Sequence, residues 1–433
     1  MNKPSNLLLL AIIIFLSIQG NAQCRTDYSL HDLIKLANTH SETIKIAEDD
    51  VDIARQEEKR ALSVLIPRAT AYGSITEYKE DALASPDSQT MGIKLTQSFT
   101  LNGKELIALD VTRRSIEGKE FSLESIRSQY ILQVAQAYYN ILSARKLFEI
   151  AQSDVERLTT HRNAVKEKLS VGNVTKTYLF RAEAELSKAL TEQKKAENAI
   201  LQSKAALQNL VDIDPDFDLQ KQDISEIENY QCNLEELQAY ALENRTEIKE
   251  AKKNLEIAEK TVKFKKSDYW PTVELEGGYK ETDIQYDATP TSVKYDTEDT
   301  YVSGSLVFTL YDGGLRRATI KQALLDQKKA EKALTLQEKK ITLDSKSSFL
   351  DYETAKSTLY NLQDELKYAE ETFNAVQMQY NYGMADSIDI MDANTLLVSA
   401  QRRISDARYK YYLSVLRIIY TKGDLPTFFL SPA

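Results

Sequence analysis

The sequence predicts a mainly α-helical protein with a β part suited to a membrane, built by using one unit twice: helix, two strands, long helical hairpin. Three observations predict it. Ser29-Leu-His-Asp-Leu is echoed 204 residues later by Asn233-Leu-Glu-Glu-Leu, and Pro67 and Ile53-Ala54 recur at the same spacing as Pro271 and Ile257-Ala258. Further on the spacing is 211: Asn163-Ala-Val and Gly172 recur as Asn374-Ala-Val and Gly383. Such a repeat implies one pseudo-twofold body, not two unrelated domains. Glycine and proline are scarce, 13 and 8 in 433 residues, while 28% of residues are charged, which favours long solvated helices. Finally, four segments alternate apolar and polar residues with period two.

The elements follow in order. Leu7 to Ile18 is apolar except for Ser17, is preceded by Lys3 and followed by Gly20-Asn21-Ala22. That is too short to span a bilayer as a helix and reads as a secretory signal over residues 1–22, cleaved after Ala22. Acylation on Cys24 is the alternative, although Gln23 is not the small residue such a site wants. Ser29 to Ile66 is then periodic at helical spacing with Ser29 as N-cap, and Asn233 with Glu236 makes the matching cap of the second copy. Pro67 and Pro271 stop these helices.

The strands come next. Val273, Leu275, Gly277 and Tyr279 oppose Glu274, Glu276 and Lys280; Met91, Ile93 and Leu95 oppose Thr90, Lys94 and Thr96. Val302, Leu306, Phe308 and Leu310 oppose Tyr301, Ser303, Ser305 and Thr309, and Arg68 to Tyr78 alternates more weakly. Each strand is about ten residues, enough for a tilted strand to cross a bilayer, with loops at 80–88 and 284–298. Tyr72, Tyr78, Tyr269, Trp270, Tyr279, Tyr286 and Tyr301 near the strand ends suit either an interfacial girdle or ordinary packing.

Long helices follow: Gly103 to Ser170, a break at Val171-Gly172-Asn173, a return from Thr175 to Val211; then Gly314 to Tyr380, a break at Gly383, and a return to about Tyr420. The resulting division is a first repeat over 23–211 (β-hairpin 68–101, helical hairpin 103–211), a linker over 212–231, and a second repeat over 232–433 (β-hairpin 271–310, helical hairpin 313–421). Cys24 and Cys232 open the two repeats. An exported address permits a disulfide between them, and two unpaired thiols are the alternative.

Four strands with one apolar face and two bare edges cannot sit in lipid, because each edge leaves backbone groups unpaired. Closure by oligomerisation solves this; a small soluble sheet over a coiled-coil stalk is the bland alternative. The net charge of −10 argues against a nucleic-acid partner.

At this point the residues resemble the TolC family of bacterial outer-membrane efflux proteins. The matching parts are the two helix starts, Phe308-Thr-Leu-Tyr-Asp-Gly-Gly, the Gly172 and Gly383 turns, and Tyr382-Gly-Met-Ala-Asp-Ser-Ile-Asp-Ile-Met-Asp-Ala-Asn. The resemblance covers nearly all of the chain after the signal. It implies a homotrimer in the bacterial outer membrane with a large periplasmic part, whose long hairpins form a trimeric α-barrel and whose four strands per protomer complete a twelve-stranded β-barrel. It further implies passive conduction of substrates handed on by an inner-membrane transporter through a periplasmic adaptor, in efflux or type I secretion.

No nucleotide-binding loop, paired metal ligands or enzyme signature is found, and no cofactor is expected; His31, His40 and His161 are dispersed. Asp389 and Asp392, three apart, share a helix face. The resemblance assigns them to a cation-sensitive gate at the closed periplasmic constriction; acids that merely favour a helix start are the alternative. The family's basic partner is absent, since Ala385 fills its place. The turns Gly172, Asn173, Val174 and Gly383, Met384, Ala385 are the expected adaptor-docking surface.

Overall fold

Each copy opens with a capped helix that is broken once. In this computed structural model, which describes residues 26–78, 86–220, 230–288 and 291–430, β1 (Thr26–Tyr28) leads into α1 (Leu30–His40) and α2 (Glu42–Ser63). Ser29 and Asp32 form a reciprocal capping box at the start of α1. The single helix expected up to Ile66 is thus two helices in series. Ser41 takes an extended conformation between them (φ −61°, ψ 120°) and caps α2 by accepting from the Ile44 N–H. The second copy breaks at the equivalent place, between α5 (Leu234–Asn244) and α6 (Thr246–Lys266), where Arg245 is extended. Asn233 caps α5 through the Glu235 N–H at 2.9 Å, not through the reciprocal pair expected with Glu236. Apolar periodicity runs unbroken across both joints, so hydropathy alone hides them.

The strands β2 (Arg68–Thr76), β3 (Asp87–Thr100), β5 (Thr272–Ala288) and β6 (Thr291–Val307) form one antiparallel sheet in the order β2-β3-β5-β6. The two copies meet where β3 pairs β5, from Asp87 opposite Gln285 to Thr100 opposite Thr272. β5 and β6 are 17 residues each, not about ten, so most of the expected 284–298 loop is strand. Beyond the apolar stretch the strands stay paired through polar cross-links: Lys294 bridges Asp283 (3.2 Å) and Asp296 (3.4 Å), and Tyr286 meets Tyr295 edge-on at 6.0 Å. Charge density there marks a solvated strand extension, not a turn. Asp87 and Ser88 likewise belong to β3, and residues 79–85 of that loop lie outside the described residues. Phe308 to Leu310 lie past the end of β6.

From the sheet run α3 (Lys104–Ser170) and α7 (Leu315–Asn381), 67 residues each, which return as α4 (Lys176–Val211) and α8 (Ser387–Lys422), 36 residues each. At ~1.5 Å per residue the longer pair reach roughly 100 Å. α3 pairs with α4 and α7 with α8; α6 lies along both long helices, and α8 packs on α3 to join the copies. The main core sits where these cross. Tyr138, Tyr139, Tyr352, Tyr411 and Tyr412 are buried there with Val134, Leu207 and Leu416. Two of their hydroxyls hold the linker: Tyr138 donates to the Gln220 carbonyl at 2.6 Å and Tyr352 donates to that of Tyr230. In that linker β4 (Phe217–Leu219) pairs in parallel with β1, and α9 (Leu425–Leu430) closes the described chain. Among the described residues no helix is long and apolar enough to cross a membrane. The signal segment 1–22 lies outside them.

Candidate functional site

Two regions could work on a passing solute: the faces of the sheet and the turns at the far end of the hairpins. Register assigns the sheet faces. Ala71, Ile93, Tyr279 and Thr300 fall in one row, Ala69, Leu95, Gly277 and Val302 in the next. This face is apolar and bare: Val302 is 88% exposed, Met91 64% and Ile93 62%. A monomeric soluble protein rarely leaves such a patch uncovered. Glu281 opposite Glu298 ends the apolar band on the same face.

The opposite face is polar and built around Glu276, which accepts hydrogen bonds from Lys94 (2.9 Å) and the Tyr301 hydroxyl (2.8 Å). Tyr72 and Tyr301 lie here, so these two tyrosines do not belong to a girdle on the apolar side. Both rings lie flat over glycines. A Cβ on Gly92 would stand 2.9 Å from the Tyr72 hydroxyl, and one on Gly278 would stand 3.0 Å from the Tyr301 ring. Glycine here lets the aromatic rings fold down onto the wall.

At the other end, both hairpins turn by the same device. Gly172 and Gly383 sit in the left-handed region (φ 76° and 78°). Asn173 N–H returns to the Lys168 carbonyl at 2.9 Å, and Met384 N–H to that of Gln379 at 2.8 Å. This is the helix-ending loop that glycine permits at lowest strain. Gly172, Asn173, Gly383 and Met384 are exposed, while Val174 and Ala385 are half-buried. Val171, Tyr382 and Met384 add exposed apolar surface around both turns.

Asp389 and Asp392 are both exposed on the first turns of α8. They differ in what they do locally. Asp386 caps α8 by accepting from the Ile388 and Asp389 N–H groups, and Asp389 reaches back to the Asp386 N–H at 2.9 Å. Asp389 therefore completes a capping box, a more specific duty than the general preference for acids at a helix start. Asp392 stands one turn further on.

A buried polar seam joins the hairpins beside these acids, and sequence reading missed it. Asn394 of α8 donates to Asp154 of α3 (2.7 Å) and accepts from Arg157 (2.8 Å). His161 of α3 meets the Ser387 hydroxyl at 2.8 Å, buried on both sides. The Lys168 ammonium lies 3.9 Å from the centre of the Tyr380 ring. Burial pushes the His161 pKa down, helped by Lys168, and burial also lowers that of Arg157 against the pull of Asp154. Asp154 and Asn394 are 240 residues apart and match no repeat spacing, so no sequence signal pairs them.

Cys24 lies outside the described residues, and with it the expected Cys24–Cys232 pairing. Cys232 is half-buried, its thiol pushed up by burial, with its sulfur 3.7 Å from the Asn233 carbonyl. Among the described residues no three His, Cys, Asp or Glu side chains gather as a metal cage.

The profile of a family described as outer membrane efflux protein matches residues 33–211 and 237–421. Outer membrane protein TolC of Escherichia coli (strain K12) is 21% identical over 431 residues, covering 96% of this chain and 86% of that protein. Outer membrane efflux protein BepC of Brucella suis is 19% identical over 388 residues, covering 90% and 82%. Among solved structures, the CmeC outer membrane channel of Campylobacter jejuni superposes with a TM-score of 0.80 at 18% identity, covering 92% of this chain and 86% of that one.

Proposed function

The chain belongs to the outer membrane efflux protein family, and from that premise we propose that it is the outer-membrane exit duct of a tripartite efflux or type I secretion system. The observation that carries this reading is the sheet: four strands with a bare apolar face, a polar face opposite, and open edges at β2 and β6. Such a sheet is tolerable in lipid only when its edges are paired. Three protomers would close twelve strands into a barrel with Val302 and Ile93 toward lipid and Glu276, Lys94 and Tyr301 toward the lumen. The equal 67- and 36-residue helices of the two copies would continue the wall as a tunnel of twelve helices.

The reading extends to the tip. The Gly172–Val174 and Gly383–Ala385 turns dock a periplasmic adaptor, which hands on cargo from an inner-membrane transporter; exposed Val171, Tyr382 and Met384 supply apolar contact. Asp389 and Asp392, repeated three times, make two rings of acid that draw cations into the constriction. Because Asp389 also caps its helix, Asp392 is the acid with the smaller structural duty. A periplasmic coiled-coil protein without a pore would have no use for the bare apolar sheet face.

Purified protein in a planar lipid bilayer tests this. Heat-modifiable trimers and discrete ion-conducting steps are expected. A water-soluble, non-conducting chain would leave only the coiled-coil reading.

A further inference from the structure

The sheet reverses its sidedness partway up. In the rows through Ile93 and Leu95 one face is apolar, and the opposite face carries Lys94, Glu276 and Tyr301. Higher in the same ladder the apolar face becomes charged: Glu281 lies opposite Glu298, Asp283 opposite Asp296, and Gln285 opposite Lys294. The polar face becomes apolar, with Ile284 opposite Tyr295 and Tyr286 opposite Val293. Successive strand residues point to opposite sides, so this reversal is written into the register itself. Tyr286 and Tyr295 meet edge-on at 6.0 Å, yet Tyr295 remains 58% exposed and Val293 39%.

The reversal falls where the sheet thins. β2 ends at Thr76 and β3 begins at Asp87, opposite Gln285; among the described strands the β5–β6 ladder then runs on alone to Ala288 opposite Thr291. A two-stranded ribbon is marginal in water unless one of its faces is packed. The charges on the outer side keep this ribbon out of lipid. On the reading of the chain as a duct, on which this inference rests, the ribbon therefore stands above the bilayer with its apolar patch toward the barrel axis. Threefold symmetry aims three copies of that patch at one another across the mouth, and bare apolar surface in water favours association.

We propose that the three β5–β6 tips lean inward and meet through Ile284, Tyr286, Val293 and Tyr295, closing the outer mouth until outgoing cargo parts them. The occupant of each patch is the same patch of the other two protomers. The closure is a barrier at the outer end of the duct, far from the helical turns, against solutes entering from outside.

Distance makes this testable. Twelve strands spaced about 4.8 Å and tilted about 40° make a barrel about 24 Å across, so in an upright, open mouth one residue of three protomers recurs about 20 Å apart. A disulfide needs Cα atoms within about 7 Å. Val293→Cys, in a background with Cys24→Ser and Cys232→Ser, should therefore form disulfide-linked dimers within trimers in lipid nanodiscs on mild oxidation. Lys294→Cys, on the charged face, should link about tenfold less on the same non-reducing gel. Adding Tyr286→Asp and Tyr295→Asp to Val293→Cys should cut the linked fraction about fivefold, because a charge resists burial in an apolar contact. In a planar bilayer, oxidation of Val293→Cys should lower the conductance of trimers and a reductant should restore it. Conducting trimers in which Val293→Cys stays unlinked overturn the closure alone and leave the patch to a ligand from outside. Equal linking by Lys294→Cys, or linking that ignores the two aspartates, also overturns it. A chain that forms no trimers removes the duct reading and the closure with it.

Discussion

The backbone N–H of Leu101 donates to the Pro271 carbonyl at 3.1 Å, sealing the last strand of the first copy to the first strand of the second. Phe99-Thr100-Leu101 recurs as Phe308-Thr309-Leu310, and Pro67 is the counterpart of Pro271. Leu310 follows β6 and Pro67 precedes β2, the two edges that have no outer neighbour. The internal symmetry therefore predicts the register at which neighbouring protomers would pair. Gln97 lies opposite Leu275 within the chain, so Leu306 should lie opposite Ala71 of the next protomer, and Val302 opposite Ile75, apolar beside apolar.

Ala71→Cys with Leu306→Cys, in a background with Cys24→Ser and Cys232→Ser, should form disulfide-linked dimers and trimers on mild oxidation. Directly opposed Cβ atoms lie about 4.5–5.5 Å apart, diagonal ones about 7–8 Å, so Ala71→Cys with Gly304→Cys should cross-link far less on a non-reducing gel. If the diagonal pair links as well or better, the register is wrong.

The turns yield a second prediction. A Cβ at Gly172 or Gly383 meets nothing within 4 Å, so a substitution there is strained by backbone conformation and not by crowding. Gly172→Val and Gly383→Val should each cost about 1–2 kcal/mol locally and distort the tip. Trimers should persist in the membrane while adaptor capture and export are lost. Export at the parental level in both variants would mean the adaptor docks elsewhere.

How far these features were legible in the sequence follows from their range. The glycine turns, the Pro67 and Pro271 stops and the long helices are local, and each leaves a composition or periodicity signal. The joints at Ser41 and Arg245 leave none, because one extended residue does not disturb the apolar period. The upper halves of β5 and β6 read as loop because Asp287-Ala-Thr-Pro-Thr is a turn-type run; the β5–β6 ladder nonetheless continues to Ala288 opposite Thr291, with Lys294 bridging Asp283 and Asp296. The Asp154–Asn394 and His161–Ser387 contacts belong to tertiary structure alone. The sequence placed Asp389 either in a gate or among acids that favour a helix start; its bond to the Asp386 N–H depends on the turn geometry ahead of α8, which leaves no such signal.

Separate substitution of the two acids divides those roles. Asp389→Ala removes the bond to the Asp386 N–H and should cost about 1 kcal/mol of stability as well as one ring of charge. Asp392→Ala should leave the melting temperature close to parental and still weaken block by di- and trivalent cations. The double variant should conduct more at neutral pH. The comparison requires fixed ionic strength, because salt screens exposed charge. Bilayer recordings in which Asp392→Ala is blocked like the parent would reduce both acids to surface residues.

The last prediction concerns acid. His161 is 8% exposed and faces Ser387 of α8, the Tyr380 ring of α7, and Arg157 and Lys168 of its own helix. The nearby acids Asp386 and Asp389 are already engaged in capping α8. Burial, reinforced by Lys168, holds its pKa below the ordinary histidine value, so the unfolded chain takes up a proton at a higher pH than the folded one. Stability from the neutral, buried His161 is then complete above about pH 6.5 and is lost as pH falls through the lower folded value. Protonation would place a second cation beside Lys168 at the seam between α3 and α8, loosening the contact between the hairpins. Thermal melts between pH 7.5 and 5 should show the parent losing more stability than His161→Gln, whose amide still reaches Ser387 but does not titrate. Conductance of the parent should rise over the same interval more than that of the variant. Parallel curves for the two proteins would show that the acid response arises at other groups and that His161 is a packing residue only.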